Sequence, residues 1–232
     1  MNKSILMIIP ARGGSKGIPK KNSKKIGKYT MIEYPIISAI KSKIINQVYV
    51  TTDCESVISL CKKYKEVTVI KRPGYLCEDS SSSESAIIHA LDKFKNKNNF
   101  LPDITIFRQC TSPFIFSCEI KEAIHQFLDE KLDVIFSVKK FEGFLWDKNS
   151  KPVNHSIDSR QTRQNADFKY LQEDGAFYIF NTTKFLKNNY RFFGKIGYYL
   201  QPNYKSIDID NSNDLKMAKI MAQNNKIIDE FN

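Results

Sequence analysis

The sequence contains few of the residues that build disulfide frameworks or zinc sites. Its five cysteines are odd in number and form no C-x-x-C pair, and its three histidines are scattered along the chain. This pattern excludes the ligand spacing of structural zinc sites and favours reduced thiols, as in a cytoplasmic protein. The cysteines are Cys54, Cys61, Cys77, Cys110 and Cys118, and the histidines are His89, His125 and His155.

A long apolar run is missing from the beginning of the chain. The stretch "SILMIIP" is too short for the hydrophobic region of a signal peptide or for a membrane span, and it leads into glycines rather than a cleavage site. We therefore expect no membrane partner. With 232 residues, of which 41% are hydrophobic and 12% aromatic, the chain can form one sizeable core, so residues 1–232 are predicted to be a single domain.

The first 32 residues of the chain contain no negatively charged side chain. No acidic residue precedes Glu33, although eight lysines and arginines do. Over the whole sequence, 36 Lys and Arg residues face 25 Asp and Glu residues, and the formal net charge is +11. Such an excess favours an anionic partner, which can be a nucleotide, an acidic metabolite, a nucleic acid or a membrane surface.

Short apolar runs alternate with segments whose apolar residues have helical spacing. This alternation predicts an α/β fold with a mainly parallel central sheet flanked by helices. The predicted strands are residues 4–9, 48–51, 67–70, 104–107, 134–138, 176–180 and 197–200, and the predicted helices are residues 31–40, 55–64, 83–94, 119–128 and 213–221.

The pattern changes at about residues 139–170. This segment is polar, rich in Lys, Asn, Ser and Gln, and it carries the single tryptophan, Trp146. We interpret it as an insertion that leaves the main sheet. No internal repeat is visible in the sequence.

A glycine-rich basic loop, "PARGGSKGIPKKN" at residues 10–22, follows the first predicted strand. Glycines at the carboxyl end of a parallel strand let backbone N–H groups approach a phosphate closely. The loop fits neither G-x-G-x-x-G nor the Walker pattern, because its glycines are Gly13, Gly14 and Gly17 and the last is followed by Ile18. The alternative is a basic, solvated turn.

The loop "IIPARGGSKGIPKKN" resembles the signature loop of the CMP-sialic acid synthetases, and four further segments resemble that family in the same order. The resemblance implies a Rossmann-like nucleotidyltransferase (GT-A-like) fold and a reaction that couples CTP to a nine-carbon 2-keto-3-deoxy sugar acid with release of pyrophosphate. It also implies a homodimer, with the insertion as dimerisation subdomain. The four segments are "KRPGYLCEDSSSSESAIIHAL", "RQCTSPF", "EDGAFYIFN" and "SIDIDNSNDL".

The basic loop and the family resemblance together predict which residues bind the nucleotide. A triphosphate carries about four negative charges, which must be masked before attack at its α-phosphorus. Arg12 and Lys21 are predicted to be catalytic phosphate ligands, whereas Ser83 has the alternative interpretation of a helix N-cap. The lysines Lys20, Lys24, Lys25 and Lys28 are interpreted as surface charge. The predicted nucleotide-binding residues are Arg12, Gly13, Gly14, Ser15, Lys16, Lys21, Asn22, Arg72 and Ser83.

Two carboxylates near the C-terminus form a predicted metal site. If "SIDID" is a strand, Asp208 and Asp210 project from the same face and both reach one Mg²⁺, for which Mn²⁺ is a possible substitute. Since no histidine or glutamate base accompanies a motif, metal-assisted activation of the sugar hydroxyl is the expected mechanism, with both aspartates catalytic. The alternative is a polar strand edge.

The acidic sugar requires a cation for its carboxylate. Arg163 in "QTRQ" resembles the family's catalytic or substrate-binding arginine, and Arg160 is its local rival. The aromatic residues of the predicted site have the alternative role of core packing. One departure from the family is Asp174, which stands where the family has Asn before Gly-Ala. The predicted sugar-binding residues are Gln109, Arg163, Tyr178, Phe192 and Phe193.

Two other functions fit the sequence less well. A nucleic-acid-binding module is disfavoured because the basic residues concentrate on a glycine loop, and no helix-turn-helix, RRM, KH or zinc signature is visible. A Kdo cytidylyltransferase is a closer rival, but the loop of that family resembles Arg-x-x-Ser-x-Arg-Leu-Pro-Gly-Lys, whereas this chain has "KGIPKKN".

Overall fold

The computed structural model describes residues 3–159, 162 and 169–232. Within these residues one seven-stranded sheet is flanked by helices, and a two-stranded hairpin lies apart from it. The strands are β1 (Ile5–Pro10), β2 (Lys25–Ile26), β3 (Tyr29–Thr30), β4 (Gln47–Thr52), β5 (Val67–Lys71), β6 (Ile104–Arg108), β7 (Val134–Lys140), β8 (Leu171–Asn181) and β9 (Ile196–Gln201). The helices are α1 (Glu33–Ser42), α2 (Glu55–Cys61), α3 (Ser83–Asn98), α4 (Ser117–Asp129), α5 (Thr182–Asn188), α6 (Ser212–Met221) and α7 (Asn225–Phe231).

The large sheet has the strand order β5-β4-β1-β6-β8-β7-β9. Strand β1 pairs in parallel with β4 and β6, β4 pairs in parallel with β5, and β7 pairs in parallel with β9. Only β8, among the described strands of this sheet, runs antiparallel to its neighbours. The predicted mainly parallel α/β fold is therefore confirmed.

Alternate residues of β1 pack against opposite layers of helices. Met7 and Ile9 belong to the cluster that includes residues of α1 and α4, whereas Leu6 and Ile8 belong to the cluster that includes residues of α3 and α5. Burial on both faces explains why this strand is a continuous apolar run in the sequence. The parallel strands β1, β4, β5 and β6 all end at the same edge of the sheet, and their carboxyl ends open the crevice described below.

The segment "SIDID" is not a strand, so the strand geometry that was assumed for Asp208 and Asp210 does not hold. Residues 206–210 belong to no strand, and the backbone N–H of Ile209 donates a hydrogen bond to the carbonyl of Thr111, at 2.9 Å. Ile209 is buried while Asp208 and Asp210 are exposed. The alternation in the sequence thus reports that Ile209 is buried between two exposed aspartates, and such burial occurs without a neighbouring strand.

Helix starts are set by local hydrogen bonds. Glu33 begins α1, and its carboxylate accepts hydrogen bonds from the backbone N–H and the hydroxyl of Thr30, both at 2.8 Å. At α3, Ser82 is the N-cap, because its hydroxyl accepts from the backbone N–H of Ser85 at 3.1 Å. Ser83 is therefore the first residue of the helix and not its cap.

The polar segment leaves the sheet after β7. Lys139 and Lys140 still pair with Gln172 and Leu171, and the N–H of Phe141 donates to the carbonyl of Tyr170 at 3.1 Å, so the chain departs from the sheet after residue 141. Beyond that point Trp146 forms an isolated bridge with Pro152. The part of the chain that the structure describes contains no helix with the length and apolar character that a membrane crossing requires.

Candidate active site

A cavity of about 490 Å³ opens at the carboxyl edge of β1, β5 and β6. The glycine-rich loop, the segment before α3, the loop after β6 and the segment at residues 208–210 all contribute to its walls. Gly13 and Gly14 are not among the residues that line it. The predicted nucleotide-binding residues that line the cavity are Arg12, Ser15, Lys16, Lys21, Asn22, Arg72 and Ser83.

The glycine-rich loop is held by hydrogen bonds to its backbone. The N–H of Gly13 donates to Oδ1 of Asp53 at 2.7 Å, and Nδ2 of Asn22 donates to the carbonyl of Arg12 at 3.1 Å. Asn22 is buried, and its side-chain amide stabilises the backbone conformation of the loop at Arg12. Asp53 was not predicted from the sequence, where it is an ordinary acidic residue after β4.

Gly17 brings the loop against the C-terminal segment. A Cβ atom at this position would lie 2.1 Å from the carbonyl oxygen of Asp210, so a larger residue would collide with backbone. Gly14, in contrast, has no atom within 4 Å of such a Cβ. The loop therefore requires glycine at position 17 because of a close backbone approach.

Lys21 joins the loop to the same segment. Its Nζ donates to the carbonyl of Ile209 at 2.8 Å and to Oδ1 of Asp210 at 3.1 Å. Only 13% of the Lys21 side chain is exposed, in contrast to 71% of the Asp210 side chain. Lys21 thus belongs to the wall of the cavity, whereas the carboxylate of Asp210 remains open to it.

Arg12 and Lys16 share one acidic partner. Asp79 accepts from Arg12 at 2.9 Å and from Lys16 at 2.7 Å, while Arg12 also donates to the carbonyl of Glu78 at 3.2 Å. The hydrogen bond from Lys16 is the largest of the effects that lower the pKa of Asp79. All three side chains are open to solvent, so a bound polyanion has access to the two cations. Asp79 was missed by the sequence analysis, because "CEDSSSS" gives no sign that the chain folds back onto the loop.

Arg72 lies deeper in the same cavity. Its guanidinium donates to the carbonyl of Thr51 at 2.9 Å and to the hydroxyl of Thr51 at 3.2 Å. Burial lowers the pKa of Arg72. These hydrogen bonds fix the side chain at the carboxyl ends of β4 and β5, where its positive charge lines the cavity.

Asp208 and Asp210 both line the cavity. Partial desolvation raises the pKa of Asp208, the hydrogen bond from Thr111 lowers it, and the charge of Asp210 raises it further. The described residues contain no group of three or more His, Cys, Asp or Glu side chains that could hold a metal. Two carboxylates suit Mg²⁺, which prefers oxygen ligands and seldom takes a full set of them from protein, so Asp208 and Asp210 would be able to hold such an ion.

A second cavity, of about 250 Å³, lies beside the first. It is lined by the first residues of β8, including Glu173 and Asp174, together with Lys139 and Ser206. Asp208 lines both cavities. The two spaces therefore meet at this carboxylate.

The predicted sugar-binding residues lie in different places. Gln109 lines the first cavity, whereas Tyr178 and Phe193 are buried in a core cluster against which Phe192 packs. The hydroxyl of Tyr178 donates to Glu173, which lines the second cavity. Arg163, like its rival Arg160, lies outside the residues that the structure describes.

Comparison with known proteins identifies the family. The cytidylyltransferase family profile matches residues 6–230. The chain is 27% identical over 225 residues to the pseudaminic acid cytidylyltransferase of Campylobacter jejuni subsp. jejuni serotype O:23/36, covering 95% of this chain and 97% of that protein. It is 31% identical over 226 residues to N-acylneuraminate cytidylyltransferase A of Danio rerio, covering 94% of this chain and 50% of that protein.

Solved structures share the fold at low sequence identity. A CMP:2-keto-3-deoxy-manno-octonic acid synthetase complexed with CTP superposes with a TM-score of 0.66 at 17% identity, covering 95% of this chain and 99% of the other. A 4-diphosphocytidyl-2C-methyl-D-erythritol synthase from Anaerococcus prevotii gives a TM-score of 0.67 at 14% identity, covering 97% and 100%. The chain therefore belongs to the cytidylyltransferase family, which confirms the predicted resemblance to the CMP-sialic acid synthetases.

Proposed function

We propose that this cytidylyltransferase transfers CMP from CTP to the anomeric hydroxyl of a nine-carbon 2-keto-3-deoxy sugar acid and releases pyrophosphate. The observation that carries the proposal is the position of Asp208, which lines both cavities. The first cavity contains the cations that suit a triphosphate, and the second adjoins it at this carboxylate. A nucleotide α-phosphate and an attacking hydroxyl would meet at such a junction.

The phosphates of CTP are assigned to the basic side of the first cavity. Arg12 and Lys16 are accessible there, and Arg72 presents a charge from deeper in the wall. Donors already in place reduce the reorganisation that accompanies the build-up of charge on pyrophosphate as it leaves. Binding of CTP would replace Asp79 as the partner of Arg12 and Lys16.

The metal is assigned to the two aspartates. Asp208 and Asp210 would hold Mg²⁺, for which Mn²⁺ is a possible substitute, and such an ion neutralises phosphate charge and lowers the pKa of a bound hydroxyl. Lys21 holds the carbonyl of Ile209 between them and so fixes the segment that carries both carboxylates. The role of Lys21 is then to orient these carboxylates as well as to add positive charge.

The sugar acid is assigned to the second cavity. Gln109, on the wall of the first cavity near the junction, can donate and accept hydrogen bonds to a sugar hydroxyl. Arg163 remains the predicted partner of the sugar carboxylate. We further propose a cytoplasmic homodimer, in which the segment at residues 139–170 forms the interface.

A pyrophosphate-release assay tests the reaction. CTP, UTP, ATP and GTP are each combined with N-acetylneuraminate, legionaminate, pseudaminate and the eight-carbon acid Kdo, in the presence of Mg²⁺. We expect turnover with CTP and at least one nine-carbon acid, and little or none with the other triphosphates. Equal turnover with all triphosphates, or turnover with Kdo alone, would contradict the proposal.

A further inference from the structure

The accessible cations of the first cavity are already engaged by one carboxylate. Oδ1 of Asp79 lies 2.9 Å from Nη2 of Arg12, and Oδ2 lies 2.7 Å from Nζ of Lys16. Each carboxylate oxygen thus faces one cation, as two oxygens of a phosphate group would. Asp79 lines the cavity together with both partners. A negative side chain therefore occupies the place that the proposed function assigns to the phosphates of CTP.

The turn that carries Asp79 is held by other contacts. The N–H of Ser81 donates to the carbonyl of Glu78 at 3.1 Å, and the hydroxyl of Ser81 donates to the carbonyl of Tyr75 at 2.7 Å. Arg12 also donates to the carbonyl of Glu78, at 3.2 Å. These hydrogen bonds do not involve the side chain of Asp79, so the loss of its charge should leave the turn beside the glycine-rich loop.

Both ion pairs of Asp79 are open to solvent. The exposed fractions of the side chains are 36% for Arg12, 80% for Lys16 and 49% for Asp79. Ion pairs in such positions are weak and are broken at little cost. A polyphosphate with several negative charges would therefore displace the carboxylate, but the loss of both pairs and repulsion from the displaced charge would weaken its binding. This weakening applies to CTP and to pyrophosphate alike, because the proposed function gives both the same two cations.

Weaker binding of both substrate and product has a consequence for turnover. Interactions that hold substrate and transition state equally well lower KM without raising kcat. In many enzymes the release of product limits kcat. A side chain that competes for two phosphate ligands thus lowers the affinity for CTP and shortens the time for which pyrophosphate stays bound.

We propose that Asp79 is an internal competitor for the phosphates: it pairs with Arg12 and Lys16 in the free protein, yields them to CTP, and pairs with them again as pyrophosphate leaves. It sets the affinity of the site for polyphosphates and takes no part in the bond-making step. The identity of pyrophosphate as the product rests on the proposed function. The competition itself rests on the two ion pairs.

Asp79→Asn tests the competition by binding, because asparagine keeps the shape of the side chain and removes its charge. Isothermal titration with pyrophosphate, without Mg²⁺ and without sugar acid, should give a dissociation constant about tenfold lower for the variant than for the wild type. In turnover followed by formation of the CMP-sugar, added pyrophosphate should inhibit the variant at a correspondingly lower concentration. The melting temperature should stay nearly unchanged, since surface ion pairs contribute little to folding.

Glu78→Gln is the matched control. Glu78 is exposed, lines the same cavity and precedes Asp79, and its side chain forms no ion pair within the described part of the chain. Its removal should lower the dissociation constant of pyrophosphate by about twofold or less at about 0.15 M salt, where charges more than about 8 Å apart are largely screened. An equal gain in the two variants would overturn the inference, because net charge and not pairing would then explain it.

A double-mutant cycle with Lys16 locates the effect. In the Lys16→Gln background one of the two ion pairs is already absent, so Asp79→Asn should strengthen pyrophosphate binding clearly less than in the wild type. Equal gains in the two backgrounds would contradict the competition. Weaker pyrophosphate binding by Asp79→Asn would refute it as well, since that is the result expected if the carboxylate orients the two cations. So would the absence of detectable pyrophosphate binding by both the wild type and Asp79→Asn.

A metal-binding role of Asp79 has a different signature. It predicts that Asp79→Asn weakens CTP binding in the presence of Mg²⁺ and leaves metal-free pyrophosphate binding unchanged, and this result would rule out the competition. The titrations need neither CTP nor a sugar acid. Equal pyrophosphate affinities of variant and wild type would therefore refute the competition while turnover stands, whereas absent turnover would refute the proposed function while the tighter binding by Asp79→Asn stands.

Discussion

Lys21 and Asp210 are 189 positions apart in the sequence, yet Nζ of the lysine lies 3.1 Å from Oδ1 of the aspartate. The same Nζ lies 2.8 Å from the carbonyl of Ile209. The glycine-rich loop and the segment that carries both proposed metal ligands are thus one structural unit. A substitution in the loop should therefore alter the position of the segment with the two aspartates, and a substitution in that segment should alter the loop.

The contact between Gly17 and Asp210 gives a sharp test of this unit. Gly17→Ala would place a Cβ atom 2.1 Å from the carbonyl oxygen of Asp210, so the backbone must move, and we expect kcat to fall on the order of 10²-fold by misplacement of the carboxylates. Gly14→Ala is the matched control, since nothing lies within 4 Å of its Cβ. Steady-state kinetics with CTP would measure kcat of both variants. Similar kcat values in the two would contradict the proposed coupling between the loop and the segment that carries the aspartates.

The phosphate role of Arg12 predicts a catalytic loss without a loss of stability. Arg12 is partly exposed and its ion pair with Asp79 is a surface pair, which contributes little to folding. Arg12→Ala should leave the melting temperature nearly unchanged and lower turnover on the order of 10²-fold or more. Lys20→Ala, in the same basic loop but not among the residues that line the cavity, should retain near-normal turnover. Near-normal activity of Arg12→Ala would mean that the loop carries only surface charge.

Asp208 and Asp210 should be needed for the metal. Either Asp→Asn change removes one of the two charges of the site, so activity should fall steeply, and excess Mg²⁺ should restore part of it in the milder variant. Asp210→Asn is expected to be the more damaging change. Isothermal titration of Mg²⁺ in the presence of CTP would show weaker binding by each variant, and EDTA should abolish wild-type activity reversibly without melting the fold. Normal turnover by the double variant would rule out this site.

Arg163 is predicted to bind the sugar carboxylate. Arg163→Ala should raise KM for the sugar acid and leave the dissociation constant of CTP nearly unchanged, because bidentate pairing of arginine with a carboxylate serves only one substrate. Arg160→Ala is the matched comparison within the same segment. A collapse of CTP binding in Arg163→Ala would assign this residue to the nucleotide instead.

The segment at residues 139–170 is predicted to form a dimer interface. Trp146 is exposed there, at 48% of its surface, as are Val153 at 55% and Ile157 at 64%, which is apolar area that a partner could cover. Light scattering at micromolar concentration should give the mass of a dimer, and Trp146→Asp should shift the population towards monomer. A monomeric wild type would disprove the interface.

The sequence by itself determined the central strands and the basic loop. Strand β1 is buried on both faces, so its residues must be apolar throughout, and a continuous apolar run before a glycine loop is readable without coordinates. The family resemblance rests on such local signals, since each motif is a short stretch whose residues act together. This is why the fold class and the cytidylyltransferase family could both be predicted.

The direction of each strand and the identity of its pairing partners depend on the tertiary structure. The run in β8 is apolar because it is buried, and burial does not record that the strand is antiparallel to β6 and β7. In the same way, the alternation around Ile209 reports one buried side but no strand partner. Periodicity measures the environment of each residue, whereas pairing depends on a second segment that the periodicity does not contain.

The supporting contacts of the site also depended on the tertiary structure. Asp79 meets Arg12 and Lys16, and Arg108 reaches the carbonyl of Ala176, through contacts between segments far apart in the sequence. An arginine within "FRQC" or an aspartate within "CEDS" has no local feature that distinguishes it from a surface charge. The sequence determined which chemical groups are available to this protein, and the folded backbone decided which of them are buried together, because burial and the low dielectric constant it brings arise only when distant segments pack.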